Sequence, residues 1–301
     1  MDPRRFGSGG NLVAEPARYF DVHLHLSRWW PDLPRTGYKK DLDYTVKGLL
    51  GEMEESGIES GLSIPVFEGP SAEESLGESV ANARASGGRL RPVATVDPTR
   101  GRAVVESVVG TWDAVPDLAA VKLFPGYQAF YPHDPVLAPV YEYAARRRLP
   151  VMVHQGDTLW PDGRIKFARP IEMDEVAVQY REVPFVLCHL GNPWVEEASE
   201  IVYKNANVYT DTSGLLGHPQ TPHFDRMVAR ARTILQTVVD TIGSPDRILY
   251  GSDWPLESLA TAVSLVEGLD LLPSERVAIL GGNARRLFGP GRPPNGGAGA
   301  R

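Results

Sequence analysis

Four of the seven histidines in this chain stand at one kind of position. His23-Leu-His25 closes the run Phe20–His25 (FDVHLH), His154 lies in Pro150–Gly156 (PVMVHQG), and His189 lies in Pro184–Gly191 (PFVLCHLG). Asp253 holds the same place in Arg247–Pro255 (RILYGSDWP). Each run is short and apolar or β-branched, the pattern of a buried strand, so these polar residues mark strand ends. Side chains two apart in a strand project to one side, and His23 and His25 can therefore offer nitrogens to one ion. With His154 and the Asp253 carboxylate they make a nitrogen and oxygen set suited to Zn2+ or a similar divalent transition metal, with room for water. Taken singly, each has a plainer reading: backbone carbonyls can satisfy a lone His-x-His, and Asp253 can cap a helix. Their joint placement is what points to a metal.

Four further runs carry no such histidine: Ser60–Val66, Arg91–Pro98, Ala119–Pro125 and Asn207–Gly214. Between the runs lie amphipathic segments, such as Val46, Leu49, Leu50 and Met53, or Leu137, Val140, Tyr141 and Ala144, at the spacing of one helix face. Eight strand–helix repeats in about 270 residues predict a parallel sheet closed into a (β/α)8 TIM barrel of the α/β class. An open doubly wound sheet is the alternative, but no Gly-rich dinucleotide fingerprint follows the first strand. The barrel is expected as a single domain over residues 18–288. Residues 1–17 and 289–301, rich in glycine, proline and polar residues, read as flexible tails.

Composition narrows the partners. A hydrophobic share of 42% with 23% charged residues suits a folded globular chain, and the net charge of -7 argues against a general affinity for nucleic acid or an anionic membrane. A small-molecule substrate is the default, and a homodimer is compatible with it. Cys188, the single cysteine, excludes an internal disulfide and reads as a buried filler. The first eleven residues lack the apolar segment of a secretory signal, and no apolar run spans a bilayer, so a cytoplasmic setting is expected.

Several phrases together resemble the amidohydrolase superfamily: Asp21-Val-His23-Leu-His25, Val121-Lys-Leu-Phe-Pro125, His154, Cys188-His189-Leu-Gly191, Gly251-Ser-Asp253-Trp-Pro255 and Gly282-Asn-Ala-Arg-Arg-Leu-Phe288. More narrowly the chain is similar to the amidohydrolase-related group that includes aminocarboxymuconate semialdehyde decarboxylase. The resemblance implies that His23, His25, His154 and Asp253 bind one metal ion, zinc preferred and manganese admitted. It also implies that His189 activates or orients water, with Asp253 as its partner in moving the proton; such an ion lowers the pKa of bound water to about 7. In binuclear members a strand-four lysine is carboxylated and bridges two ions. Lys122 occupies that place, and the reading adopted is an uncarboxylated lysine beside one ion.

Loops after the strands carry Arg28, Trp29, Trp30, Tyr127, Phe130, Tyr131, Trp160 and Trp254. Of these Arg28, Trp30, Tyr127, Trp160 and Trp254, with Lys122, are the expected substrate contacts, suited to a planar acid through flat apolar contact and a guanidinium. His133, His218 and His223 stay unassigned. The leading expectation is a hydrolase acting on a small amide, lactone or ester through metal-activated water. The alternative is a non-oxidative decarboxylase of an aromatic or unsaturated acid at the same site. A barrel that binds without catalysis would be expected to lack one of the five residues, and all are present. Metal analysis by mass spectrometry is expected to return one divalent ion per chain; two would give Lys122 the bridging role.

Overall fold

The computed structural model describes residues 19–32, 38–39, 41–115, 117–216 and 222–289. Eight strands run in sequence order around one parallel sheet: β1 Tyr19–His25, β2 Ile58–Ile64, β3 Leu90–Thr95, β4 Ala120–Leu123, β5 Val151–Val153, β6 Phe185–Leu187, β7 Val208–Asp211 and β8 Ile248–Leu249. The seam between β8 and β1 is joined by Val22 N–H to the Tyr250 carbonyl at 3.0 Å, Asp253 N–H to the His23 carbonyl at 2.9 Å and His25 N–H to the Trp254 carbonyl at 2.7 Å. The expected TIM barrel is present: helices α1 Val46–Glu55, α2 Ala72–Ala85, α3 Arg102–Thr111, α4 Ala138–Arg147, α5 Glu172–Gln179, α6 Val195–Lys204 and α7 Phe224–Ile242 alternate with the strands, and α8 Leu259–Glu267, α9 Pro273–Val277 and α10 Asn283–Phe288 follow β8 in succession. Among the described residues no helix is long and apolar enough to cross a membrane. Apart from Gly289, the two expected tails lie outside the described residues.

Period-two alternation explains the core. Val151, Val153, Phe185 and Leu187 face the helices, while Met152, Val186 and Cys188 fill the barrel interior. The outer layer accepts the amphipathic faces of helices such as α7, where Ala231, Leu235, Val238, Val239 and Ile242 are buried. Two starts are fixed by caps: Thr45 Oγ1 accepts from Gly48 N–H at α1, and Ser71 with Glu74 forms a capping box at α2. The interior is closed at the strand N-termini by α10, whose Phe288 ring stacks on Phe20 at 6.2 Å, with Ala284 and Leu287 in the same cluster.

Two departures from the sequence reading shape the mouth. The strands are shorter than their apolar runs, so His154, His189 and Asp253 sit just past the ladder rather than in it. His189, Leu190 and Asp253 take φ of 62°, 50° and 62°, a left-handed backbone uncommon for residues with a Cβ, and this turns the chain out of the strand. In β1 the register shifts between Asp21 and Leu24. Simple alternation would put Phe20, Val22 and Leu24 on one face; with the shift, Phe20 and Val22 stay in the interior cluster while Leu24 joins the outer layer.

Trp254, expected as a substrate contact, belongs to this closure instead. It is fully buried, stacks on Tyr44 at 5.5 Å and donates from Nε1 to Glu52 at 3.0 Å. Trp254→Ala is expected to lower the unfolding free energy by about 3–5 kcal/mol in denaturant titration; an unchanged midpoint would show that the seam does not depend on this ring.

Candidate active site

His23 and His25, on β1, and Asp253, after β8, meet at the barrel mouth. Asp253 Oδ1 lies 3.4 Å from His25 Nε2 and 3.6 Å from His23 Nε2. One ligand atom from each of the three falls within 4.8 Å of the others, and all three residues are buried. The fourth expected ligand, His154, is adjacent but not in this group. Its Nε2 points to the Asp157 carbonyl at 2.8 Å, because the loop after β5 folds back over it. Gly156 makes that fold possible: with φ of +95°, a Cβ there would come within 2.0 Å of the Asn192 carbonyl oxygen. The His154 ring remains 4.9 Å from that of His189, which lies 4.7 Å from that of His23.

The charge states suit a cation. Burial pushes all four imidazoles down, His189 to about 4 and His154 well below its ordinary value. Burial opposes the charge on Asp253, yet the hydrogen bond to His25 and the nearby His23 and His189 hold its carboxyl well below the usual range. Neutral imidazoles with an ionised carboxylate are the forms a divalent transition metal requires, so the donor set fits such an ion.

A carboxylate that the sequence reading passed over organises the same space. Asp211, at the end of β7, is completely buried; its Oδ2 lies 2.9 Å from His23 Nδ1 and its Oδ1 accepts from His189 N–H at 2.9 Å. Ser213 Oγ lies 2.5 Å from Asp211 Oδ1, 3.0 Å from His23 Nδ1 and 2.9 Å from His189 Nδ1. His23, His189 and Asp211 could form a second metal group by proximity, but the Ser213 hydroxyl already sits among their polar atoms. Burial again opposes the Asp211 charge, while His23, His189 and the Lys122 ammonium hold it well below the usual range. The signal was present: Thr210-Asp-Thr-Ser213 ends its run on polar residues, the criterion used for the other strands. Asp21, quoted only as part of a phrase, ties β1 to the loop after β8, its Oδ1 accepting from His23 N–H at 2.8 Å and Ser252 N–H at 3.2 Å. Burial pushes its carboxyl up to about 7.

Lys122 projects from β4 into the interior, fully buried, with Nζ 2.9 Å from Cys188 Sγ and 3.4 Å from His23 Nε2. Cys188 is buried as expected. The pocket above has two lobes. The inner one, of about 40 Å³, is walled by Trp30, Phe67, Tyr127 and Trp160 over the histidines and Lys122. The outer one, of about 250 Å³, adds Asp157, Asn192, Gly214 and Glu257. A water needs about 10–15 Å³, so the inner lobe has room for an ion and a small part of a substrate, and the outer lobe has space for the rest.

Of the residues expected to contact substrate, Trp30, Lys122, Tyr127 and Trp160 line the pocket, and Arg28 does not. The Arg28 side chain is 72% exposed, lies over the Trp29 ring at 5.1 Å, and has Nε 3.7 Å from Glu78. The loop turns it outward because Glu78, on α2, also receives the Arg28 N–H. Phe130 is buried in the outer layer, and Tyr131 stacks on His133, which lies 3.2 Å from Glu172. His223 occupies the residue before α7 and makes no side-chain cap hydrogen bond there, and His218 is outside the described residues. Phe67, one residue past the run Ser60–Val66 and not singled out from the sequence, is central to the wall, with its ring 4.5 Å from that of Tyr127 and 5.0 Å from those of Trp30 and Trp160.

A parallel eight-stranded barrel that gathers imidazoles and a carboxylate at its C-terminal mouth defines a TIM-barrel enzyme framework. Residues 20–289 match the amidohydrolase family, and the chain belongs to it. Over 130 residues it is 26% identical to a gamma-resorcylate decarboxylase of Polaromonas sp. strain JS666, a stretch covering 36% of this chain and only 35% of that relative. Among solved structures it is similar to an uncharacterised TIM-barrel protein from Bordetella bronchiseptica, with a TM-score of 0.70, 22% identity, and coverage of 90% of this chain and 98% of the other. A dihydroxybenzoic acid decarboxylase from Polaromonas sp. JS666, solved with manganese and 2-nitroresorcinol, gives a TM-score of 0.68 at 16% identity, covering 92% and 98%.

The lowered imidazoles set a pH dependence. Below pH 6.5 the unfolded chain takes up protons that folded His189 refuses until about pH 4, so stability present above 6.5 is lost as pH falls through that window. In metal-free protein, His189 should contribute a loss of about 2 kcal/mol in unfolding free energy between pH 7 and pH 5. His189→Gln should remove that share of the slope in urea titrations at the two pH values; an unaltered slope would contradict it.

Proposed function

We propose that this protein is a metal-dependent, non-oxidative decarboxylase of a hydroxy-aromatic acid. The observation that carries the reading is the aromatic inner lobe, in which four rings stand directly over a cluster of imidazoles and a carboxylate. Such walls favour a flat ring held face-on. The curated relative and the manganese-bound structural neighbour, whose names specify decarboxylases of dihydroxybenzoic acids, support the same choice over hydrolysis.

His23, His25 and Asp253 would hold the ion, with His154 available if the loop at Asp157 releases it. Zinc and manganese both suit this set, the neighbour's manganese adding weight to the second. When bound, the ion supplies positive charge that draws in the substrate's oxygens and steadies negative charge passing into the ring. Lys122 beneath the cluster adds a further positive charge, and the aromatic walls orient the ring and exclude water. As the bond between ring and carboxylate breaks, carbon dioxide leaves and the ring carbon takes up one proton. Asp253 and His189, which face both lobes, are placed to hold and move it.

Metal-loaded protein given a panel of hydroxybenzoic acids, lactones and amides should release carbon dioxide from the acids, and the double variant His23→Ala/His25→Ala should lose this activity at least 100-fold. Addition of water to a lactone or amide without carbon dioxide would instead establish hydrolysis, and turnover by the double variant would remove the metal from the mechanism.

A further inference from the structure

The Ser213 hydroxyl donates to Asp211 Oδ1 at 2.5 Å, so its hydrogen lies on that line. Ser213 Oγ then has no hydrogen left to give and can only accept from its two other neighbours, His189 Nδ1 at 2.9 Å and His23 Nδ1 at 3.0 Å. A hydroxyl oxygen has two lone pairs, enough for both. The hydrogen on His23 Nδ1 is shared with Asp211 Oδ2 at 2.9 Å, which leaves His23 Nε2 as a lone pair toward Asp253 and His25. Above its ordinary pKa of about 6.5 an imidazole carries one ring hydrogen, and the same logic puts that of His189 on Nδ1. Its Nε2, the other ring nitrogen of a residue that lines both lobes, is then a lone pair as well.

The ring is also sterically held. Gly214 has φ of +70°, and a Cβ there would come within 2.6 Å of His189 Nδ1, so the backbone passes the imidazole on the side where it meets Ser213. Ser213 itself is completely buried, which shields this arrangement from exchange with water.

We propose that Ser213 is a positioning residue that, through Asp211, locks His189 in its Nδ1–H tautomer, so that Nε2 accepts a hydrogen bond from a hydroxyl group on the substrate ring. This rests on the hydroxy-aromatic reading above and sharpens it: the substrate carries a hydroxyl as donor to His189, not merely a flat acid. As His189 Nε2 takes that hydroxyl's hydrogen, electron density rises at the ring carbon bearing the carboxylate. That carbon accepts a proton by way of Asp253, the carbon–carbon bond breaks and carbon dioxide leaves. His189 returns the hydroxyl proton to the product, so the net uptake is one proton and the residue ends as it began.

The test separates the tautomer from the reaction. Zinc-loaded protein labelled with 15N-histidine should show, in long-range 1H–15N spectra, a His189 signal pattern with Nδ1 protonated and Nε2 bare, identified by its loss in His189→Gln. This reading needs no turnover, and Nε2 protonated in the native protein overturns the proposal even if the enzyme is a decarboxylase. Ser213→Ala should lose the Nδ1–H pattern, lower kcat about 100-fold on a hydroxybenzoic acid at unchanged metal content, and reduce the binding preference for 2-hydroxybenzoate over benzoate about tenfold. Ser213→Thr, which keeps the hydroxyl, should restore the pattern and the preference. A Ser213→Ala protein with native tautomer and native preference would overturn the assignment. If the tautomer follows Ser213 as described but 2-hydroxybenzoate and benzoate bind the native protein equally, the hydroxyl-acceptor role is overturned.

Discussion

A carboxylate sealed from water must find its hydrogen bonds within the protein, and Asp211 finds them in two segments that would otherwise be independent. One oxygen meets the His23 ring on β1, and the other takes the backbone N–H of His189 after β6. The hydrogen-bond geometry of a single group at the end of β7 therefore fixes both the first histidine of the mouth and the left-handed turn that presents another. An unpaired charge in that position would cost several kcal/mol, so the surrounding polar atoms are held in place by the same requirement that keeps the carboxylate ionised. Lys122 contributes from the opposite direction, its ammonium lying under the histidines and drawing on the same negative charge.

The barrel was legible in the sequence because parallel strands buried on both faces leave continuous apolar runs, and the polar interruptions of those runs marked the mouth. His23, His25 and Asp253 followed from position alone. The same rule applied to Thr210-Asp-Thr-Ser213 would have found Asp211 and Ser213, but carboxyl and hydroxyl groups at a strand end attract less notice than histidines. What could not be read was direction. Arg28 and Trp254 sit in loops next to true pocket residues, and only three-dimensional neighbours, Glu78 for one and Tyr44 with Glu52 for the other, decide that they face away from the pocket. The register shift in β1 is of the same kind: FDVHLH shows perfect alternation, yet the strand departs from it.

That shift matters for how the site and the core coexist. A strictly alternating β1 would have to choose between sending Phe20 and Val22 inward to fill the barrel and sending His23 and His25 inward to build the mouth. One irregularity lets the lower half of the strand serve packing and the upper half serve chemistry. Gly61 on β2 accommodates it, since a Cβ there would lie within 2.6 Å of Leu24 Cδ1 and 2.7 Å of the Asp21 carbonyl oxygen.

The plug formed by α10 has a different consequence. Ala284, Leu287 and Phe288 close the barrel at the strand N-termini, so α10 lies on the side opposite the pocket. The two ends of the barrel answer to separate demands, hydrophobic fit below and polar geometry above, with rigid strands between them. Sequence drift in the plug should therefore appear as changed thermal tolerance at constant specificity, while drift in the strand-end loops should change substrate range within a fold that melts as before.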